Sequence, residues 1–156
     1  MAVRVQREAF DAAAEVQALV AARTDAGSVV TFTGLVRGEA HGRALRSMTL
    51  EHYPDMTEAE LSRIEAEARH RFGLLGSLIV HRYGELKPGE PIVLVVTLAP
   101  HRHAAFEAAE FLMDFLKSRA PFWKKEAFAD GTESWVDARE TDGAALARWA
   151  ATATQK

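Results

Sequence analysis

Apolar residues along this 156-residue chain switch repeatedly between a helical and a strand period, and those switches set the order of elements. Val16, Leu19 and Val20 fall on one side of a helix that Asp11 can cap and that runs to about Arg23, with Ala26 and Gly27 ending it. Residues 28–37 are rich in β-branched side chains and predict a strand. A glycine-flanked polar loop at 38–43 leads to a second strand at 45–53, expected antiparallel to the first. After the Pro54-Asp55 break, Thr57 and Glu60 have the spacing of a capping box, and the helix behind them carries Leu61, Ile64, Ala68 and Phe72 on one stripe. Gly73 and Gly76 close it, and 78–83 predicts a strand.

The second half continues the pattern. Lys87-Pro-Gly-Glu90 is a turn in which Pro and Gly preset the backbone. Residues 92–98 are almost continuously apolar and predict a central strand. A long helix follows Pro100-His-Arg-His103, with Phe106, Ala109, Leu112, Met113 and Leu116 as its expected buried stripe. Pro121 cannot continue that helix. Residues 122–128 and 134–138, joined at Asp130-Gly131, predict a hairpin, and a short helix is expected at about 143–151. Helices and strands are interleaved and several strand pairs look antiparallel. The expectation is a single α+β domain over residues 1–150, with mostly antiparallel strands, a C-terminal β-hairpin and a disordered tail at 151–156.

Composition narrows the function more than the fold. Hydrophobic residues are 48% and charged residues 26%, as in soluble globular proteins. A net charge of -3 argues against bulk electrostatic binding of nucleic acid, so any cationic site is local. No apolar run approaches the roughly 20 residues of a membrane span. The first eight residues lack a signal-peptide core, so a cytoplasmic location without membrane contact is expected. Cysteine is absent, which excludes disulfides, thiolate metal ligation and a cysteine nucleophile.

Candidate chemistry is densest in Lys117-Ser-Arg-Ala-Pro-Phe-Trp-Lys-Lys-Glu126. Lys117 lies one helical turn after Met113, at the edge of the apolar stripe. In an extended 122–128 segment, Phe122, Lys124, Glu126 and Phe128 share one face, while Trp123 and Lys125 share the other. The break at Pro121 can turn the Lys124 face back toward Lys117, and clustered, partly desolvated cations exchange protons more readily. A dipole-favoured lysine at a helix end and a salt-bridged aromatic hairpin account for the same residues without chemistry.

His101 and Arg102 precede the long helix, where free backbone N–H groups and a guanidinium suit a phosphate. Arg37, at the end of the first strand, is a further anion ligand candidate. His101 and His103 are a weak metal signal without a carboxylate at ligand spacing, and no metal or cofactor is expected. Together these residues suit a phosphate-bearing aromatic heterocycle, held by an enzyme or by a binding module that performs no reaction. Single-stranded nucleic acid, the other ligand that lysines and aromatics can hold, is disfavoured by the net charge.

Six segments in order carry a resemblance. They are Val30-Thr-Phe-Thr-Gly-Leu-Val-Arg37; Leu50-Glu-His-Tyr-Pro54 with Met56-Thr57; His81-Arg82-Tyr-Gly-Glu-Leu86 with Pro88-Gly89; His101-Arg102; Met113-Asp114 through Lys117 to Glu126; and Trp135-Val-Asp-Ala-Arg139. Over about residues 28–140 the chain resembles the molybdopterin synthase large-subunit family, MoaE. The resemblance implies an α/β hammerhead-type fold and a homodimer at the centre of a heterotetramer. It implies a small ubiquitin-like partner subunit whose C-terminal Gly-Gly ends in a thiocarboxylate. The implied activity is a sulfurtransferase that converts cyclic pyranopterin monophosphate to the dithiolene of molybdopterin, in molybdenum cofactor biosynthesis.

By the same resemblance the essential lysines fall on Lys117 and Lys124. Arg37, His101 and Arg102 are implied to bind phosphate, with a contribution from across the dimer. Glu126 would orient Lys124, Phe32 and Met113 would line the pocket, and all three would contact substrate together with Lys125, which stands where arginine also occurs. Leu35 replaces a cation found in some relatives, and Asp55 a glycine common after Tyr-Pro. The missing cysteines fit a reaction in which sulfur arrives on the partner.

Overall fold

The computed structural model describes residues 2–136 together with Ala147, Trp149 and Ala150. The elements are β1 (Val3–Gln6), α1 (Ala12–Val20), β2 (Ser28–Leu35), β3 (Glu39–Ala40), β4 (Arg43–His52), α2 (Met56–Phe72), β5 (Gly76–Arg82), β6 (Gly84–Leu86), β7 (Pro91–Ala99), α3 (Arg102–Ser118), β8 (Phe122–Phe128) and β9 (Glu133–Val136). They form an α+β fold with two sheets. One has the order β1-β5-β7-β2; the other runs β3-β4-β8-β9, with β6 added to β4. The β1–β5 pair is parallel and the other pairs are antiparallel.

The continuous apolar run of β7 follows from burial on both faces. Ile79, Val93 and Val95 pack on Leu61, Ile64 and Ala68 of α2 and on Phe111, Leu112 and Phe115 of α3. On the opposite face Leu78, Val80, Leu94 and Val96 are covered by Phe10, Val16 and Leu19. A strand with a helix layer on each side has no solvent face to mark with polar residues. Asp11 caps α1 through its side chain, which accepts from the Ala14 N–H at 3.1 Å. Gly73 closes α2 in the left-handed conformation, φ 62°.

Several expectations are corrected. The strands at 28–37 and 45–53 do not pair. β2 is an edge strand on β7, while β4 belongs to the other sheet and pairs with β8. The capping box is not formed: Thr57 lies inside α2, fully buried, and its hydroxyl donates to the Tyr53 carbonyl at 2.8 Å, while Glu60 pairs with Arg63 on the surface. On α3 the buried face is Ala105, Ala108, Ala109, Phe111, Leu112, Phe115 and Leu116, and Phe106 is exposed. The 38–43 loop is a β3–β4 hairpin with a two-residue turn, His41-Gly42, both residues at positive φ as in a type I′ turn. The 122–128 and 134–138 hairpin forms as β8–β9 up to Val136. Its last two residues, most of the 143–151 helix and the 151–156 tail lie outside the described residues.

The two sheets meet where the chain passes from β5 to β6. Gly84, at φ 91°, makes the turn, and the Arg7 guanidinium lies against it, 2.9 Å from where a Cβ would stand. Below the turn, Arg82 is buried, and its guanidinium donates to the carbonyls of Arg7 and Pro91, each at 3.0 Å. Beside it His81 of the first sheet stacks on Phe122 of the second, with centroids 3.9 Å apart and planes 19° from parallel.

Candidate functional site

A cavity of about 370 Å³ opens at this seam. Its walls come from the end of β2 (Phe32, Gly34), from Arg37 beyond it, from β4 (Met48, Leu50), from the last turns of α3 (Met113, Leu116, Lys117) and from β8 (Phe122, Lys124, Glu126). Each wall has a local cause. The register of β2 on β7 shifts between Gly34 and Leu35, a bulge that bends the strand end. A Cβ on Gly34 would stand 2.7 Å from Val93 Cγ1, so the wall is thin there because no side chain fits. α3 ends at Ser118, and Pro121 follows within a few residues. β8 then returns antiparallel to β4, with Lys124 opposite Leu50 and Glu126 opposite Met48.

This geometry brings together Lys117, Lys124, Glu126, Arg37, Phe32 and Met113. It does not bring in three other sequence candidates. Lys125 lies on the opposite face of β8, 3.3 Å from Glu133 and over the Trp135 ring. His101 is the N-cap position of α3 and Arg102 its first residue; both are exposed and neither lines the cavity. At 1.5 Å per residue, Arg102 lies about 22 Å along the helix axis from Lys117. His103, the partner of His101 in the weak metal signal, pairs with Glu107 at 3.0 Å. Among the described residues no group of three or more His, Asp or Glu side chains is placed to hold a metal ion. No described helix is long and apolar enough to cross a membrane.

The polar groups of the cavity are unequal in their surroundings. Lys117 is exposed and Lys124 half-buried, while Glu126 is buried. Among the described residues Glu126 Oε1 has no hydrogen-bond partner; His41 Nε2, at the hairpin tip, lies 3.5 Å away. That distance is an electrostatic contact and too long for a good hydrogen bond. Glu126 and Glu39 together put two carboxyl groups into a cavity also lined by Arg37, Lys117 and Lys124.

Residue-level reasoning gave no role to His81, which also lines the cavity. Burial pushes its pKa down to about 4, and the charges of Lys117 and His52 act in the same direction, against the hydrogen bond to the Arg82 carbonyl. A histidine inside an apolar strand has no sequence signal for this; only the partner that stacks on it, far along the chain at Phe122, reveals it.

Fold and cavity define a class: an α+β domain with a cationic, aromatic-walled cleft at the junction of two sheets. The comparisons with known proteins narrow it. The family described as MoaE protein matches residues 5–119. A molybdopterin synthase catalytic subunit from Mesorhizobium japonicum is 58% identical over 148 residues, covering 94% of this chain and 92% of the relative. A solved structure of a molybdopterin biosynthesis MoaE protein from Burkholderia ambifaria aligns with TM-score 0.81 and 51% identity, over 96% of this chain and 99% of its own. Molybdopterin synthase from Staphylococcus aureus aligns with TM-score 0.79 and 30% identity, over 86% of this chain and 96% of its own. The chain belongs to the MoaE protein family.

Proposed function

We propose that this chain is the catalytic subunit of a molybdopterin synthase, a sulfurtransferase of molybdenum cofactor biosynthesis acting on cyclic pyranopterin monophosphate. The observation that carries the reading is the convergence of Lys117 and Lys124, from two elements split by Pro121, in one cavity of a chain without cysteine. The kinship with molybdopterin synthase catalytic subunits supports it. The sulfur comes from the C-terminal Gly-Gly thiocarboxylate of a small ubiquitin-like subunit, whose extended tail enters the cleft as an unfolded peptide end enters a groove. Two copies of this chain form the centre of a heterotetramer with two small subunits, in the cytoplasm.

In this mechanism the thiocarboxylate sulfur bonds to a pterin carbon as a C–O bond of that carbon breaks, giving a thioester to the small subunit. Water then adds to the acyl carbon, charge develops on its oxygen, and the acyl C–S bond breaks to leave sulfur on the pterin and a carboxylate on the tail. Lys117 stabilises that oxyanion and exchanges a proton with the reacting groups. Lys124 holds the tail end, and Glu126 fixes its ammonium. Arg37 binds the phosphate, with Phe32 and Met113 against the ring. His101 and Arg102 lie about 22 Å from Lys117 along α3, so they serve the phosphate of the other copy's site.

The test is reconstitution. Purified protein, the thiocarboxylated small subunit and the cyclic pterin phosphate should yield dithiolene product. Folded, assembled components that bind both substrates and give no dithiolene would refute sulfur transfer and leave a binding module.

A further inference from the structure

His81 is held more rigidly than a filler of the core requires. Its Nδ1 lies 2.9 Å from the Arg82 carbonyl oxygen. A carbonyl can only accept, so Nδ1 carries the proton and Nε2 keeps a lone pair. The ring is 8% exposed and stacked on Phe122, which fixes its plane. Nδ1 is committed to the backbone, and among the described residues Nε2 has no hydrogen-bond partner. The one uncommitted polar atom of a buried ring therefore belongs to a side chain that lines the cavity.

The nearby charges keep this atom neutral. Burial, Lys117 and His52 together hold the imidazole unprotonated well below neutral pH, down to about 4. A base so weakened by burial is a poor match for relaying protons at neutral pH. Accepting a hydrogen bond is what remains. The cavity's cations, Arg37, Lys117 and Lys124, are donors only. Glu39 and Glu126 accept through carboxyl oxygens, and Ser118 through a hydroxyl that rotates. A neutral acceptor in a fixed plane is a different reading element: it selects a neutral N–H or O–H.

We infer that His81 Nε2 is a specificity-determining contact that accepts a hydrogen bond from a neutral N–H or O–H of the ligand bound in this cavity. The inference rests on the proposed function for the ligand. A cyclic pyranopterin phosphate offers both halves of the match, phosphate oxygens for the cations and ring N–H, amino or hydroxyl donors for the imidazole. The two contacts together fix which way round the ring lies, so that the carbons to be sulfurated face the lysines.

The experiment uses the ¹⁵N-labelled chain in complex with the small subunit in its carboxylate form, so that nothing turns over. Long-range ¹H–¹⁵N spectra of His81 are recorded before and after adding cyclic pyranopterin monophosphate. Nε2 should start unprotonated and move upfield on binding, while Nδ1 keeps its proton. In parallel His81→Phe, which keeps the stack and removes the acceptor, should weaken binding of the cyclic phosphate roughly tenfold, the scale of one neutral hydrogen bond. His81→Gln, whose amide oxygen reaches about where Nε2 stood, should recover most of it. Inorganic phosphate should bind all three alike. An Nε2 resonance that stays put at saturating ligand overturns the inference, as does His81→Phe binding as tightly as the unsubstituted chain. If His81→Phe does not fold, the spectrum of the unsubstituted complex decides. Cyclic phosphate that fails to bind the unsubstituted complex overturns the proposed function and this contact with it; binding and turnover with an unmoved Nε2 overturn the contact alone.

Discussion

At its C-terminal end α3 delivers Lys117 to a cavity wall shared with β2, β4 and β8; at its N-terminal end it leaves His101 and Arg102 exposed and outside the lining of that cavity. Both ends are basic and both lie in segments that resemble the same family. The difference is what surrounds them. Lys117 faces a second strand system brought back by Pro121, while Arg102 is exposed and does not line that cavity. A helix is a rigid spacer, so its two ends cannot serve one small ligand within one subunit. The lesson is that basic residues close to one helix in sequence divide in space, and only the C-terminal half lines this cavity.

The strongest way to break this contrast is Lys117→Ala. It should lower turnover on the order of a thousandfold, the scale for losing a donor at a developing oxyanion, with the assembly unchanged on a sizing column. Near-normal turnover in the assembled variant would remove the special status of that helix end. Arg102→Ala is expected to act mainly on KM, about tenfold to a hundredfold, as for a lost charge-assisted phosphate contact. Mixing subunits sharpens it further. If Arg102 acts across the dimer, scrambled Lys117→Ala and Arg102→Ala chains regain up to about a quarter of full activity, because half of the dimers are mixed and each holds one intact site. Measured at substrate well below KM, mixtures no more active than the Arg102→Ala chains they contain would place both residues in one site and defeat the division.

Acid should also separate the ends, since only the Lys117 end rests on a buried neutral imidazole. The folded-state pKa of His81 is lowered to about 4 from 6.5, so the unfolded chain binds the extra proton between those values. Stability is therefore full above about 6.5 and falls as pH drops toward 4, by on the order of 3 kcal/mol from this group. Urea melts at pH 7 and pH 4.5 should show a smaller acid loss for His81→Gln than for the unsubstituted chain; equal losses would remove the buried neutral histidine. The smallest effect is expected for Lys125→Ala. Its partner Glu133 sits on the outer face of the hairpin, and such an exposed pair is worth about 0–1 kcal/mol. Turnover should stay within about twofold; a loss like that of Lys117→Ala would mean the outer face of β8 takes part.

Much of the architecture was legible because local rules sufficed. The Asp11 cap, the Lys87–Glu90 turn and the doubly buried run of β7 each carry their cause within a few residues. The face alternation of β8 placed Lys124 and Glu126 together with Phe122 and sent Lys125 outward. What failed was non-local. Nothing in residues 28–53 says that two neighbouring strands join different sheets, because that is decided by β7 and β8 far along the chain. Thr57 obeys a capping pattern, yet its hydroxyl is taken by the Tyr53 carbonyl once Asp55 turns the chain at φ 68°. The His41-Gly42 turn lacks the usual Asn-Gly signal. The split between Lys117 and Arg102 needed only the length of a helix, while His81 needed the fold.

The His81–Phe122 stack is also a built-in reporter. The two rings come from different sheets and lie nearly flat on one another, so the phenyl ring current shields the imidazole protons as long as the walls stay together. Any opening of the cleft, whether by an entering peptide tail or by loosening of the seam, would release that shielding. The chain thus carries its own gauge of cleft width in one pair of proton resonances, readable without a label.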